Sequence, residues 1–240
     1  MIVLQTFWVV ALIVFAASAL YPIGTKATRL IALLSFAFLW LGLSVFFWRY
    51  RVLRWVVPGV TIAVGIFLML PGRPASQQSL REKYVGCLKR YEGVLYVWGG
   101  ENAVGIDCSG LIRRGLMDAL FLEGVKTFNP GLVRESIKLW WYDTTARVLG
   151  EANGPTVAVT APAKGPLETP SINLLDHAKL LPGDLAVTTS GIHVLAYLGD
   201  QQWIEADPGV GRVVLAKAPS QDNPWLSSPV NIVRWKLLQP

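Results

Sequence analysis

Of the two cysteines and two histidines in this 240-residue chain, one of each has the surroundings that nucleophilic chemistry needs. Cys108 stands at the start of a helical pattern, where free amides and the positive end of the helix dipole favour a thiolate. Tyr96-Val97-Trp98-Gly99-Gly100 precedes it, and Asp107-Cys108-Ser109-Gly110 surrounds it. Such a glycine-rich approach lets backbone come close to a substrate, and its amides can stabilise an oxyanion. Cys87 instead falls on the apolar face of an earlier helix and reads as a small buried hydrophobe. Two thiols are too few for a disulfide framework or a four-ligand zinc site. They are expected to be unpaired, because a disulfide would consume the nucleophile.

The base that a cysteine nucleophile requires would be a histidine. His193 opens a predicted strand after the Ser190-Gly191 turn, whereas His177 precedes the turn Leu181-Pro182-Gly183-Asp184. A strand fixes a side chain better, which selects His193. A third group should orient the imidazole. Glu205 follows across the Gly199-Asp200-Gln201-Gln202 turn, on the same face as His193 if odd positions meet odd positions; Asp207 shares that parity and competes for the role.

The elements that must position these residues are legible in outline. Ser79-Leu80-Arg81-Glu82 has a capping-box pattern, and Leu80, Tyr84, Cys87, Leu88 and Tyr91 then recur at helical spacing. A second helix runs from about Cys108 to Leu120, and Asn129-Pro130 caps a third that ends near Trp141. From Gly150 to Pro170 the chain reads as irregular. The remainder changes period: Asp184 to Thr189, His193 to Leu198, Trp203 to Ala206, Arg212 to Ala216 and Asn231 to Leu237 are short β-rich runs. Helices first and strands afterwards predict an α+β domain with an antiparallel sheet packed against the Cys108 helix.

Residues 1–71 are of a different kind. They hold none of the 16 Asp and Glu and only five of the 22 Lys and Arg, so most of the formal charge of +6 lies there. The other 17 basic residues nearly balance the acids, which speaks against a nucleic-acid partner. Apolar runs at about 2–20, 30–48 and 55–70 predict about three transmembrane helices and a lipid bilayer as partner. No basic stretch precedes the first run, so it reads as an uncleaved helix rather than a signal peptide. Arg49, Arg51 and Arg54 crowd one loop against Lys26 and Arg29 in the other, which places the denser loop in the cytoplasm and the rest outside. Arg73, Arg81 and Lys83 pull the other way. Residues 72–78 read as an extended linker, and 79–240 as the soluble domain.

Taken together, Tyr96-x-Trp98-Gly99-Gly100, Gly105-x-Asp107-Cys108-Ser109-Gly110-Leu111, Leu181-Pro182-Gly183-Asp184-Leu185 and His193-Val194-x-x-Tyr197-Leu198-Gly199-Asp200 resemble the NlpC family of papain-like cell-wall cysteine peptidases. The resemblance covers residues 79 to 217 and is concentrated in the two catalytic blocks. It implies a circularly permuted papain-like fold and an endopeptidase acting on the peptide stems of bacterial peptidoglycan, typically between D-glutamate and the following diamino acid. It implies Cys108 as nucleophile and His193 as base. Tyr96 would lie near the oxyanion site, and Asp107 and Ser109 would line the pocket for the stem's amino end. No metal or organic cofactor is implied. With the membrane helices, the expected location is the bacterial cytoplasmic membrane, with the catalytic domain on the periplasmic or extracellular side.

Two departures stand out. The family's third residue is most often histidine, or else a side-chain amide, where this chain has Glu205. The stretch from Phe121 to Leu180 is also longer than simple members need; its Trp140-Trp141-Tyr142 could wall the cleft or pack in the core. The alternatives to a peptidase are a membrane-proximal thiol acyltransferase or thioesterase, and an inactive wall-binding protein.

Overall fold

The computed structural model describes residues 2–159 and 170–239. Three apolar helices come first: α1 (Ile2–Leu20), α2 (Lys26–Phe46) and α3 (Leu53–Met69). Among the described residues only the segment Lys26–Arg49 is long and apolar enough to count as a membrane span by length and hydropathy, one where the apolar runs predict about three; Gln5–Leu20 and Arg54–Met69 are shorter apolar helices. The helices run down, up and down, so the α1–α2 turn and the end of α3 lie at the same end of the bundle. The turn lies against Gly99–Asn102. At the end of α3, Arg134 donates to the carbonyls of Leu68 and Leu70 at 2.6 and 2.7 Å. Arg49, Arg51 and Arg54 lie at the opposite end.

The polar part continues with α4 (Gln77–Lys89), β1 (Glu101–Asn102), β2 (Gly105–Ile106), α5 (Cys108–Lys126), α6 (Pro130–Trp141), α7 (Ala146–Gly150) and β3 (Thr156–Ala158). Then come β4 (Leu185–Thr188), β5 (Val194–Gly199), β6 (Gln202–Asp207), β7 (Arg212–Lys217), α8 (Pro224–Ser227) and β8 (Val230–Trp235). Helices and an antiparallel sheet of order β3-β8-β4-β5-β6-β7 make the domain mixed α and β, as its periodicity predicts.

The cap of α4 is Ser76, which accepts from the Ser79 amide, so this helix starts inside the stretch read as linker and three residues before the predicted box. The rest of that stretch is held down, with Arg73 and Asn129 exchanging hydrogen bonds of 3.1 and 2.8 Å. Asn129 and Pro130 start α6 as expected. A short strand, β3, interrupts the run predicted to be irregular by pairing with β8; residues 160–169 of that run lie outside the described residues.

The β5–β6 hairpin turns on Asp200 and Gln201, with φ of 51° and 61°. Two consecutive positive φ values form a tight turn that pairs Gly199 with Gln202, and a bulge between Tyr197 and Gly199 then shifts the register so that Tyr197 pairs with Trp203, odd against odd. Even-numbered Val194, Ala196, Leu198, Ile204 and Ala206 pack with Leu111, Ile112, Leu116 and Leu120 of α5. Odd-numbered Leu195, Tyr197 and Trp203 form a second core with Ile172, Leu180 and Leu226. The sheet is therefore buried on both faces, and a buried Asp184–Arg234 pair at 2.5 Å ties β4 to β8.

Candidate active site

Cys108 is the first residue of α5, and Asp107 is its cap. The Asp107 carboxylate accepts from the Gly110 amide at 2.6 Å and the Ser109 hydroxyl at 2.9 Å through one oxygen, and from the Gly99 amide at 2.8 Å through the other. This one side chain thus fixes the helix start and ties the Gly99–Gly100 loop to it. Space there is minimal, since a methyl group on Gly110 would lie 2.1 Å from the Gly100 carbonyl oxygen. Gly110→Ala is therefore expected to cost about 2 kcal/mol or more, read as a lowered melting temperature of the detergent-solubilised protein. An unchanged melt would show that the loop yields freely.

Cys108, Tyr96, Asp107 and Ser109 line one groove of about 540 Å³ with Trp98, Gly99 and Gly100. Residues 143–147 form its far wall and Gly191 and Ile192 its end. Cys108 is 7% exposed, and its thiol points toward the Ile192 carbonyl at 3.9 Å. Burial pushes the thiol up to about 12, the Asp107 carboxylate adds to this, and the amides of Val194, Ser109 and Cys108 oppose it. Burial likewise raises Tyr96 to about 12, aided by Cys108 and Asp107. Desolvation thus opposes the thiolate that a helix start favours, and in the resting site it outweighs the amides.

His193 sits just before β5, between the two residues whose backbone faces the sulfur. Its Nε2 meets Glu205 Oε2 at 2.5 Å, with both side chains almost fully buried. A carboxylate at Nε2 holds the proton there and leaves Nδ1 free to accept another. Asn223 Nδ2 donates to the other Glu205 oxygen at 2.5 Å, and the Trp225 ring stacks on the imidazole at 4.1 Å. His193, Glu205, Asn223 and Trp225 thus form a closed cluster, while the sulfur approaches from the α5 side. Among the described residues no hydrogen bond joins the sulfur to the imidazole. Such bonds are often loose in resting sites and tighten on the substrate.

The structure divides the six predicted residues into two sets: Tyr96, Asp107, Cys108 and Ser109 line the groove on the α5 face, whereas His193 and Glu205 pair in a buried cluster on the side of the sheet that carries Trp225, and neither lines the groove. Asp207, the competitor for Glu205, turns back to cap its own loop through Gly209 at 2.6 Å. His177 accepts from the Trp203 indole at 3.3 Å in the second core. Cys87 is buried in the main core, and both cysteines are free thiols. Trp140 and Trp141 are half-buried beside the N-terminal apolar helices, with the Arg29 guanidinium 5.9 Å over the Trp140 ring.

Sequence reasoning missed Asn223 and Trp225. The Asn-Pro pair at 223–224 does signal a helix start, and Asn223 caps α8 by accepting from Trp225 at 2.9 Å. Also missed was a buried charge cluster. Arg29 Nη2 reaches Glu101 at 2.6 Å and Asp143 at 2.7 Å, and Arg113 reaches the other Glu101 oxygen at 2.5 Å. Burial raises Glu101 and lowers Arg113, each against the pull of its partners. Removing one member of a buried pair typically costs about 3–5 kcal/mol.

No family model matches the sequence, and no curated protein matches it. Solved structures similar to the chain include NlpC1 from Trichomonas vaginalis, at 19% identity over 68% of this chain and 46% of that one, with a TM-score of 0.40. The peptidoglycan hydrolase RipB from Mycobacterium tuberculosis aligns at 19% identity over 72% and 77% of the two chains, with a TM-score of 0.42. An N-acetylmuramoyl-L-alanine amidase from Bacteroides uniformis aligns at 16% over 65% and 99%, with a TM-score of 0.43. The match thus spans about half the length of the Trichomonas protein.

Proposed function

We propose that the chain is a membrane-anchored cysteine endopeptidase that hydrolyses peptide stems of bacterial peptidoglycan, with Cys108 as nucleophile, His193 as general base and Glu205 as the residue that orients it. The observation that carries this reading is a groove-lining thiol at a helix start, set against the backbone on either side of a histidine whose far nitrogen is held by a buried carboxylate. That arrangement suits acyl transfer. Substrate binding brings Nδ1 to the sulfur; the Cys108 proton passes to it as sulfur attacks the stem carbonyl. The tetrahedral oxyanion is met by amides at the start of α5 and by the Tyr96 hydroxyl. The imidazolium then protonates the leaving amine, giving a thioester. Water, deprotonated by His193, releases the acid and restores the thiol.

Glu205 stabilises the imidazolium through both of these steps. Asn223 fixes the carboxylate, and Trp225 shields the pair from water. The D-glutamyl–diamino acid bond is the cleavage point that the motif resemblance implies. Asp107 and Ser109 would receive the stem's amino end through whatever capacity their mutual hydrogen bond leaves.

Spanning by all three apolar helices fits the charges. Arg29 is neutralised by Glu101 and Asp143, which among the described residues leaves Lys26 as the cation of the α1–α2 turn without an acidic partner, against three arginines at the other end. The positive-inside tendency then puts the arginine-rich loop in the cytoplasm and the groove outside.

The test is incubation of the full-length protein in lipid nanodiscs with defined muropeptides, followed by mass analysis. The expected product carries a new free amine on the diamino acid. Cleavage of acyl thioesters with the stems left intact would favour a thiol acyltransferase or thioesterase instead.

A further inference from the structure

The turn between α1 and α2 does more than connect two helices. Ile23 forms an antiparallel bridge with Gly100, Glu101 donates its amide to Pro22 at 2.9 Å, and Gly24 donates to Gly99 at 3.4 Å. Asn102 closes the end of α1 by donating to the Tyr21 carbonyl at 2.9 Å. The turn is thereby bridged, strand-like, to the glycine loop that precedes Cys108, and Ile23 and Gly24 line the same groove as the thiol.

Arg29 holds this turn in place. It is 4% exposed, although it belongs to an apolar helix, and besides its two carboxylate partners it donates to the carbonyls of Gly24 and Trp141 at 3.3 and 3.2 Å. The fit is close: a methyl group on Gly24 would lie 2.7 Å from a Glu101 carboxylate oxygen and 3.0 Å from the Arg29 guanidinium. Glu101 follows Gly100 directly, and the Gly100 carbonyl accepts from the Asp107 amide at 3.0 Å. A membrane helix is thus linked through four residues to the cap of the nucleophile's helix.

We infer that the membrane hairpin completes the substrate groove, with Pro22–Gly24 as one of its walls and Arg29 as the positioning residue that docks this wall against Gly99–Glu101. The inference rests on the reading of Cys108 as nucleophile. The polar domain alone would hold the catalytic residues and lack part of the surface that grips the peptide.

The test uses the full chain in nanodiscs, a defined muropeptide, and iodoacetamide as a probe of both cysteines, each located by peptide mass. Arg29→Met and Gly24→Val attack the docking by different routes, one by charge and one by bulk. Each is expected to raise KM about tenfold with kcat within about threefold, and to speed Cys108 alkylation about threefold while Cys87 stays unlabelled. Arg29→Lys should fall between wild type and Arg29→Met. Labelling of Cys87 in step with Cys108 would mean that Arg29 serves only folding and would overturn the inference, as would KM and Cys108 labelling that stay at wild-type values. If Cys108→Ala still cleaves, the nucleophile reading fails; the alkylation comparison needs no turnover and judges the docking by itself.

Discussion

Replacing Cys108 with alanine is expected to lower stem cleavage by at least about 10⁴-fold and to leave the melting temperature nearly unchanged. The sulfur lies at the edge of the main core, where a helix start held by Asp107 keeps its shape without it. Among the described residues the groove holds no second thiol. The Ser109 hydroxyl is spent on Asp107 at 2.9 Å, and Cys87 sits on α4 inside the core. Cys87→Ala should accordingly keep nearly full cleavage. Mass analysis of muropeptide digests checks both variants, and a Cys108→Ala protein that still releases the diamino acid amine at more than a few per cent of the wild-type rate ends the cysteine mechanism.

The second large effect belongs to Glu205. Glu205→Ala removes the anion that fixes the tautomer of His193 and opens a void beside a buried imidazole, and is expected to lower kcat about a thousandfold. Glu205→Gln should retain more, within about a hundredfold of wild type, because an amide still orients the ring and can still bond Asn223. The pH profile separates orientation from charge. A carboxylate stabilises the proton that the imidazole takes from sulfur during attack; an amide does not. In Glu205→Gln the plateau therefore falls and the profile changes shape. The basic limb gives no early loss by Cys108 ionisation, since burial holds that thiol at about 12. A profile of unchanged shape in Glu205→Gln would remove Glu205 from the chemistry.

The catalytic blocks were readable because their signals are local. Asp107 before Cys108 announces a capped helix, and Gly99, Gly100 and Gly110 mark close backbone approaches within a dozen residues. The odd-against-odd parity that led to Glu205 holds because a bulge between Tyr197 and Gly199 offsets the odd-with-even pairing of the Asp200-Gln201 turn, a compensation invisible in the sequence. The two influences on the Cys108 thiol differ in how far they can be read from the sequence. The helix end acts at short range and is visible in the sequence, whereas desolvation depends on Ile192, Val194 and the whole fold. Asn223, Trp225 and the pairing of Arg29 with Glu101 were missed because they join residues far apart in the chain. A lone arginine near an apolar run reads as a loop charge until its carboxylate is located. The start of α4 was misplaced by three residues because Ser76 and Ser79 both have capping chemistry, and the chain uses the earlier one.

The bridge that Pro22–Gly24 makes to the glycine loop also sets a working distance. Ile23 lies three residues past the last residue of α1, at most about 10 Å of chain, which is comparable with the depth of the polar layer that covers each side of a bilayer's hydrocarbon. In the proposed orientation the scissile carbonyl must descend almost to the lipid phosphates to meet the sulfur. Strands of wall polymer still near their point of synthesis can make that approach, and material in outer, finished layers cannot. Selectivity for the newest wall would then come from where the groove is moored, with no added recognition of the peptide itself.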